Sequence, residues 1–508
     1  MINILRNPDS IEIRCEGKNT DTEVTTVPNG NVLDVYVSAN ESLPKFIVLR
    51  WNGKTTAPVS VLGDTWERSY GDLCWHGIEE NRFMPWYFMA SEGKSHTGYG
   101  VKTGCNSFVS FQYDDSGITA WIDVRNGSFG VHLNGRRLLA CSFVSETYEG
   151  TAFSALQSFC KVMCDKPLTA GFPVYGGNNW YYAYGKSSRE EILNDTKLQA
   201  KLSSGLANRP FMVIDDCWEK NSCAGPWISN DKFGDMASLA DEIKKEGVRP
   251  GIWVRFLHDF SENLPKEFYL RQNDCMLDPS LPGVLDYVTE TIKRIKSWGF
   301  ELIKHDFSTF DIFDNGDSRI NDSITKKRDI RLYDNTKTSA EIVLQFYKTI
   351  LNAADGMIII GCNTVSHLAA GLVHLQRIGD DTSGADWNKT RKMGVNTLAF
   401  RMAQHKTFYD IDADCVGILG DNIPWELNRQ WADLLSKSGT PLFISCPDGV
   451  LTADQEKELK EYYVAASEQK NIAEPLDWLW NATPSQWLID GKKVQYDWNL
   501  DKLPEANY

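Results

Sequence analysis

Residues 301–311 read ELIKHDFSTFD. Leu302 and Ile303 are the apolar part of a short strand, and Lys304, His305 and Asp306 finish it. A strand that is apolar along its length and then ends in three polar side chains fits a parallel sheet covered by helices, with the strand tip left open. The flanking sequence supplies those helices. GVLDYVTETIKRIKSWG precedes the strand and stops at Gly299; SAEIVLQFYKTILNAADG follows it and stops at Gly356.

The alternation extends in both directions. Further apolar runs are GFPVYGG (171–177), FMVIDD (211–216), RPGIWVRF (249–256), MIIIGCN (357–363), LQRIGDD (375–381), FYDIDADC (408–415) and PLFISC (441–446). SSREEILNDTKLQAKLSSG reads as a helix with Ser187 as N-cap and an end near Gly205, and MASLADEIKKEG as one that stops at Gly247. TADQEKELKEYYVAASEQ (452–469) follows the last run. Eight strands alternating with helices over about 280 residues predict an α/β fold, a (β/α)8 barrel spanning 166–470. A doubly wound sheet is the alternative, but no glycine-rich phosphate loop accompanies the strands. Residues 1–165 instead carry short β-rich segments between turns and predict an N-terminal β-sandwich; VHLNGRRLLA, with its Asn-Gly pair, predicts a hairpin within it. Residues 471–508 read as a short C-terminal β region with a Gly-Lys turn.

A chain of 508 residues is long enough for several cores. Its net charge of −15 argues against nucleic acid or an anionic membrane as partner. No apolar run approaches the roughly 18 residues of a membrane span. The opening MINILRNPDSIEIRCEGKN has no signal-peptide pattern, so the expectation is a cytoplasmic protein, or a periplasmic or secreted one whose signal has been removed. The twelve cysteines form no repeated CxxC pairs and read as buried thiols of a reducing compartment, although their even number leaves disulfides open. Cys160 and Cys164 have the spacing of neighbours on a helix face. The 17 Trp, 19 Tyr and 23 Phe either fill large cores or stack on sugar rings. A homo-oligomer is left open.

In a barrel, function sits at the C-terminal strand ends. Those ends carry Asp215 and Asp216; Trp253 and Arg255; Lys304 and Asp306; Cys362 and Asn363; Arg377, Asp380 and Asp381; and Asp410, Asp412 and Asp414. Trp180 follows the first run. Only His258 and His305 lie near strand ends, too few for a histidine metal centre, so no metal and no cofactor are expected. An all-carboxylate Mg²⁺ site stays open; DNGDSRIND (314–322) lacks the order of a calcium loop and reads as a polar loop. No G-x-S-x-G elbow is present. Paired carboxylates between aromatic walls fit glycoside hydrolysis, in which one carboxylate attacks the anomeric carbon and another protonates the leaving oxygen. Lys304 lies two residues before Asp306, on the same strand face, and would keep it ionised. The acid needs a raised pKa, which crowding with neighbouring carboxylates would supply.

VIDDCWEK, GVRPGIWV, LIKHDFS, GCN…AAGLVHLQRIGDDTSGADW and FYDIDADC resemble, in the same order, the strand-end motifs of glycoside hydrolase family 36, the α-galactosidase or melibiase family related to family 27. The match runs over about residues 170–420, and the flanking β regions also resemble compact members of that family. The resemblance implies an exo-acting, retaining α-galactosidase with an α-galactoside as its partner molecule. It makes Asp306, in K-x-D, the nucleophile and Asp381, in R-I-G-x-D-T, the acid/base, with Asp380 at the variable position. It places Asp215 and Asp216 on the sugar O4 and O6, Lys304 on O3 and O4, Trp253 at the wall, Trp180 at the floor, and Cys362 and Arg377 near O2. A Trp lent by the sandwich would be Trp66 or Trp75, with Trp66 preferred.

The chain departs from the family at Gly361-Cys362-Asn363-Thr364-Val365, which faces the sugar C2 position, and at Arg255 and His258, which could form an ion pair or touch an extended aglycone. α-N-acetylgalactosaminidase or galactosyl-transfer activity are the alternatives within the fold. A non-catalytic sugar-binding barrel is the alternative outside catalysis, and it predicts loss of a carboxylate that this chain retains.

Overall fold

The computed structural model describes residues 2–55, 58–261, 263–270, 275–313, 329–420, 422–468 and 470–499. The oxygen-rich stretch 314–322 lies outside them.

The N-terminal part holds two antiparallel sheets, one of five strands and one of six, drawn from Ser10–Glu16 through Leu138–Glu149. Alternate residues face the core, as period-two patterning requires. Leu33, Val35 and Val37 are fully buried on one sheet, and Ile47, Leu49 and Trp51 on the other. Trp51 meets Phe143 across the two sheets with ring centroids 5.3 Å apart. The VHLNGRRLLA hairpin is only half formed. Asn134 and Gly135 make a left-handed turn (φ 50° and 77°), but Val131–Leu133 is not a strand. Its backbone donors are spent elsewhere, Val131 on the Pro44 carbonyl and His132 on that of Asn335. Leu138–Glu149 pairs instead with Val32–Ser38 and Ser95–Val101.

The helix Ala152–Met163 leads into a curled nine-strand parallel sheet of (β/α)8-barrel type. Its strands are β1 (Tyr175–Asn178), β2 (Phe211–Ile214), β3 (Arg249–Val254), β4 (Leu302–His305), β5 (Ile358–Gly361), β6 (Leu375–Arg377), β7 (Asp410–Asp412), β8 (Cys415–Gly417) and β9 (Leu442–Ser445). All but β8 lie on the eight predicted apolar runs; β8 begins at the last residue of the run 408–415 and continues past it. The count is nine because FYDIDADC breaks: β7 pairs with β6, β8 pairs with β9, and Asp414 between them has φ 73°. One barrel position is thus shared by two short strands.

The predicted helices are present at Arg189–Leu202, Met236–Lys245, Pro282–Ser297, Ser339–Ala354 and Ala453–Ser467. The first is capped by Ser188 rather than Ser187: the Ser188 hydroxyl accepts the Glu191 N–H, while Ser187 is buried. A hairpin, Glu219–Asn221 with Ala224–Ser229, is inserted after β2. The C-terminal residues form a three-stranded sheet whose tight turn is at Asp490-Gly491. All twelve cysteines are free. Among the described residues no helix is long and apolar enough to cross a membrane.

Candidate active site

Strand β4 sorts its polar end by the alternation of the pleat. His305 turns outward between Phe256 and Phe346, with ring centroids 5.5 Å away on each side. Burial brings its pKa down to about 4, so it is a neutral core residue. Lys304 turns inward, and its Nζ donates to Asp215 Oδ2 at 2.7 Å. The same oxygen accepts Asn178 Nδ2 at 2.7 Å, so the ends of β1, β2 and β4 are joined through one carboxylate.

Asp306 follows β4 and is 7% exposed. Trp253 Nε1 donates to its Oδ2 at 3.0 Å, and the Phe307 N–H to its Oδ1 at 2.7 Å. Burial works to raise this carboxyl, but Lys304, Arg68 and the two N–H donors outweigh it and hold it below the usual carboxylate range. Phe307 has φ 61°, a conformation costly for a side chain of its size. That bend aims the N–H of Phe307 back at the carboxylate.

Arg377, at the end of β6, is 1% exposed and holds two carboxylates, Asp414 at 2.5 Å and Asp381 at 3.0 Å. Asp414 is fixed further by the Thr382 N–H at 2.8 Å and by the Tyr181 hydroxyl, which makes it a structural anchor. The Asp381 side chain is 34% exposed. The expected upward shift is not found there: burial favours it, but Arg377 and Arg68 prevail and bring Asp381 to about 2. Crowding loses because the nearest charges are guanidiniums. Asp412, buried beside Asp414, is raised instead, by burial first. Cys362 is buried with its Sγ 3.8 Å from Arg377 Nη1, and burial pushes its thiol up.

Asp216 is half-buried, and its Oδ1 accepts the N–H groups of Cys217 at 2.6 Å and Cys223 at 2.9 Å. Trp180 is half-buried beside Tyr184, with ring centroids 5.4 Å apart. Arg255 forms an ion pair, 2.5 Å from Asp311. His258 bonds the Cys223 carbonyl at 2.9 Å and Cys275 Sγ at 2.7 Å. Trp66 is buried against Phe108 and His367, with ring centroids 5.8 and 5.9 Å away.

Sequence reasoning missed the two residues that follow Trp66. The segment 64–71 is built into the barrel rim. Asp64 and Arg401 form a fully buried pair at 2.6 Å. The Ser69 N–H donates to the Ile378 carbonyl at 2.7 Å, and the Asp380 N–H to the Ser69 carbonyl at 2.9 Å, so the segment runs beside the chain that carries Asp381. Gly71 has φ 74°, and a Cβ there would stand 2.6 Å from the Lys392 carbonyl oxygen. Arg68 is 3.4 Å from Asp380 and lowers both Asp306 and Asp381. Glu67 is 1% exposed, and burial raises it to about 7 against the pull of Arg68. No local signal in DTWERSYGD pointed to them, because the contacts that place them are with chain 378–380.

Sequence comparison finds no matching family model and no matching curated protein. Solved structures do match. An α-galactosidase from Thermus thermophilus, in complex with p-nitrophenyl α-D-galactopyranoside, superposes with a TM-score of 0.61 at 14% identity, covering 93% of this chain and 99% of that one. The family 36 α-galactosidase AgaA from Geobacillus stearothermophilus, in complex with 1-deoxygalactonojirimycin, gives 0.60 at 14% identity, over 95% and 77%. The fold is that of the family 36 α-galactosidases. The galactosidase domain of an α-galactosidase–sucrose kinase matches as well, with a TM-score of 0.57 at 15% identity over 90% and 71%. This family 36 fold puts the strand ends of β2, β4 and β6, with their carboxylates, at one end of the sheet.

Proposed function

We propose that the chain is an exo-acting retaining α-galactosidase, organised as a β-sandwich (1–165), a catalytic barrel (166–470) and a C-terminal β cap (471–508). The observation that carries this reading is the setting of Asp306: a buried carboxylate kept ionised by Lys304, Arg68 and two N–H donors, while a second, more exposed carboxylate, Asp381, follows β6 and is held by Arg377. In the double displacement, Asp306 attacks the anomeric carbon and the C1–O bond to the aglycone breaks, while Asp381 gives its proton to the departing oxygen. Asp381 then takes a proton from water, the water oxygen bonds to C1, and Asp306 is released.

To act as acid, Asp381 must hold a proton in the substrate complex. Arg377 can loosen its hold because Asp414, at 2.5 Å, stays as its counter-ion. Asp215, Asp216 and Lys304 form the polar wall that receives the sugar hydroxyls; Trp253 and Trp180 supply apolar surface; Cys362 and Arg377 bound the C2 side. The departures at 361–365 keep an N-acetylgalactosaminide as the competing substrate. Turnover of p-nitrophenyl α-galactoside and α-N-acetylgalactosaminide, measured side by side for wild type and Asp306→Asn, tests the reading. Galactoside turnover that vanishes in the mutant supports it; equal turnover by the mutant refutes the role of Asp306, and preference for the acetamido sugar moves the specificity.

A further inference from the structure

The hairpin inserted after β2 places a second carboxyl behind Asp216. Glu219 is 1% exposed, whereas Asp216 is half-buried. Both reach for the same donor: the Cys223 N–H lies 2.9 Å from Asp216 Oδ1 and 2.6 Å from Glu219 Oε1. The other Glu219 oxygen is buried with no hydrogen-bond partner outside this pair. Two carboxylates converging on one N–H, one of them out of water, cannot both carry full charge at ordinary pH.

Among the described residues, the arginine and lysine nearest to them are already committed. Arg255, on the loop after β3, touches Cys223 Sγ at 3.1 Å but is committed to Asp311. Lys304 is committed to Asp215. Asp306, at the tip of β4, adds negative charge near Cys223. On the hairpin itself Lys220 is exposed; the other titratable neighbours among the described residues are the thiols of Cys217 and Cys223 and, from the loop after β3, His258, whose Nδ1 lies 2.9 Å from the Cys223 carbonyl.

We propose that Glu219 is a positioning residue that shares one proton with Asp216, so that a buried carboxylic acid holds the substrate-facing carboxylate in place. Burial first, then the hydrogen bond with Asp216 and its charge, push Glu219 well above the ordinary carboxyl range, in agreement with this arrangement. Loss of the proton leaves two charges side by side, and Asp216 is then repelled from the position in which it accepts a sugar hydroxyl. Affinity therefore falls as pH rises, while the bond-breaking residues are untouched. The substrate part of the proposal rests on the α-galactosidase reading; the shared proton does not.

The test has two readouts. Infrared spectra of the whole protein at neutral pH are compared for wild type, Glu219→Gln and Asp216→Asn. A protonated-carboxyl C=O component that wild type shows and Glu219→Gln lacks, beside any band from Glu67, supports the proposal, as does a shift of that component's titration to lower pH in Asp216→Asn. Identical spectra for wild type and Glu219→Gln overturn it. KM and kcat on p-nitrophenyl α-galactoside are then followed against pH. The expected result is a wild-type KM that rises in the alkaline range with kcat unchanged, a Glu219→Gln KM that stays low and flat, and a Glu219→Ala KM about tenfold higher throughout. A Glu219→Gln KM as poor as that of Glu219→Ala at neutral pH overturns the proposal. The band difference without any galactoside turnover supports the shared proton and refutes the α-galactosidase reading.

Discussion

Asp306 and Asp381 lie in the segments that follow β4 and β6 and both stand beside cations, yet they are held in different ways. Asp306 is 7% exposed and pinned by Trp253 and Phe307, so its charge and its direction are both fixed. Asp381 is 34% exposed on its side chain and held by one guanidinium that has another anionic partner. A nucleophile has to stay ionised and aimed, whereas an acid/base has to exchange a proton twice per turnover. The more enclosed carboxylate is suited to the first task and the more open one to the second.

Four substitutions test that contrast. Asp306→Asn removes the oxygen proposed to attack and is expected to lower kcat on the order of 10⁴-fold or more for every leaving group. Asp381→Asn is expected to cost about 10² to 10⁴-fold with a poor leaving group, and far less with p-nitrophenol, which departs without protonation. Equal losses with both leaving groups would contradict the acid role. Trp253→Phe deletes one hydrogen bond to a charged acceptor, an effect of about 1.5–3 kcal/mol, or roughly ten- to a hundredfold in kcat/KM. Because that bond lowers the Asp306 pKa, its loss moves the acidic limb of the pH profile to higher pH.

The smallest expected effect belongs to Arg68. Its guanidinium lowers both carboxylates, so Arg68→Met lets both rise. Asp306 must be ionised in the free enzyme, so the acidic limb of kcat/KM moves to higher pH, by about one unit. A drop in rate with that limb unmoved would mean that Arg68 only supports the fold.

The barrel was legible because its strands are buried on both faces and flanked by helices, which leaves apolar runs of the right length. K-x-D was legible because period-two alternation puts Lys304 and Asp306 on one face and His305 on the other. What the sequence hid is contact between distant segments. Nothing local in DTWERSYGD says that Glu67 and Arg68 lie beside chain 378–380, more than 300 residues away. The direction of the Asp381 shift was missed for the same reason: it depends on which charges are nearest, Arg377 or the carboxylates. The VHLNGRRLLA hairpin misled because its backbone donors bond to Pro44 and Asn335, partners outside any local window.

The identity of the attacking residue can be read directly. Incubation with 5-fluoro-α-D-galactosyl fluoride, whose galactosyl-enzyme turns over slowly, followed by peptide mass spectrometry, should find the sugar on ELIKHDFSTFD at Asp306. A sugar attached to Asp381 or to any other carboxylate, or turnover that leaves no labelled enzyme, would contradict the assignment of β4 as the strand that delivers the nucleophile.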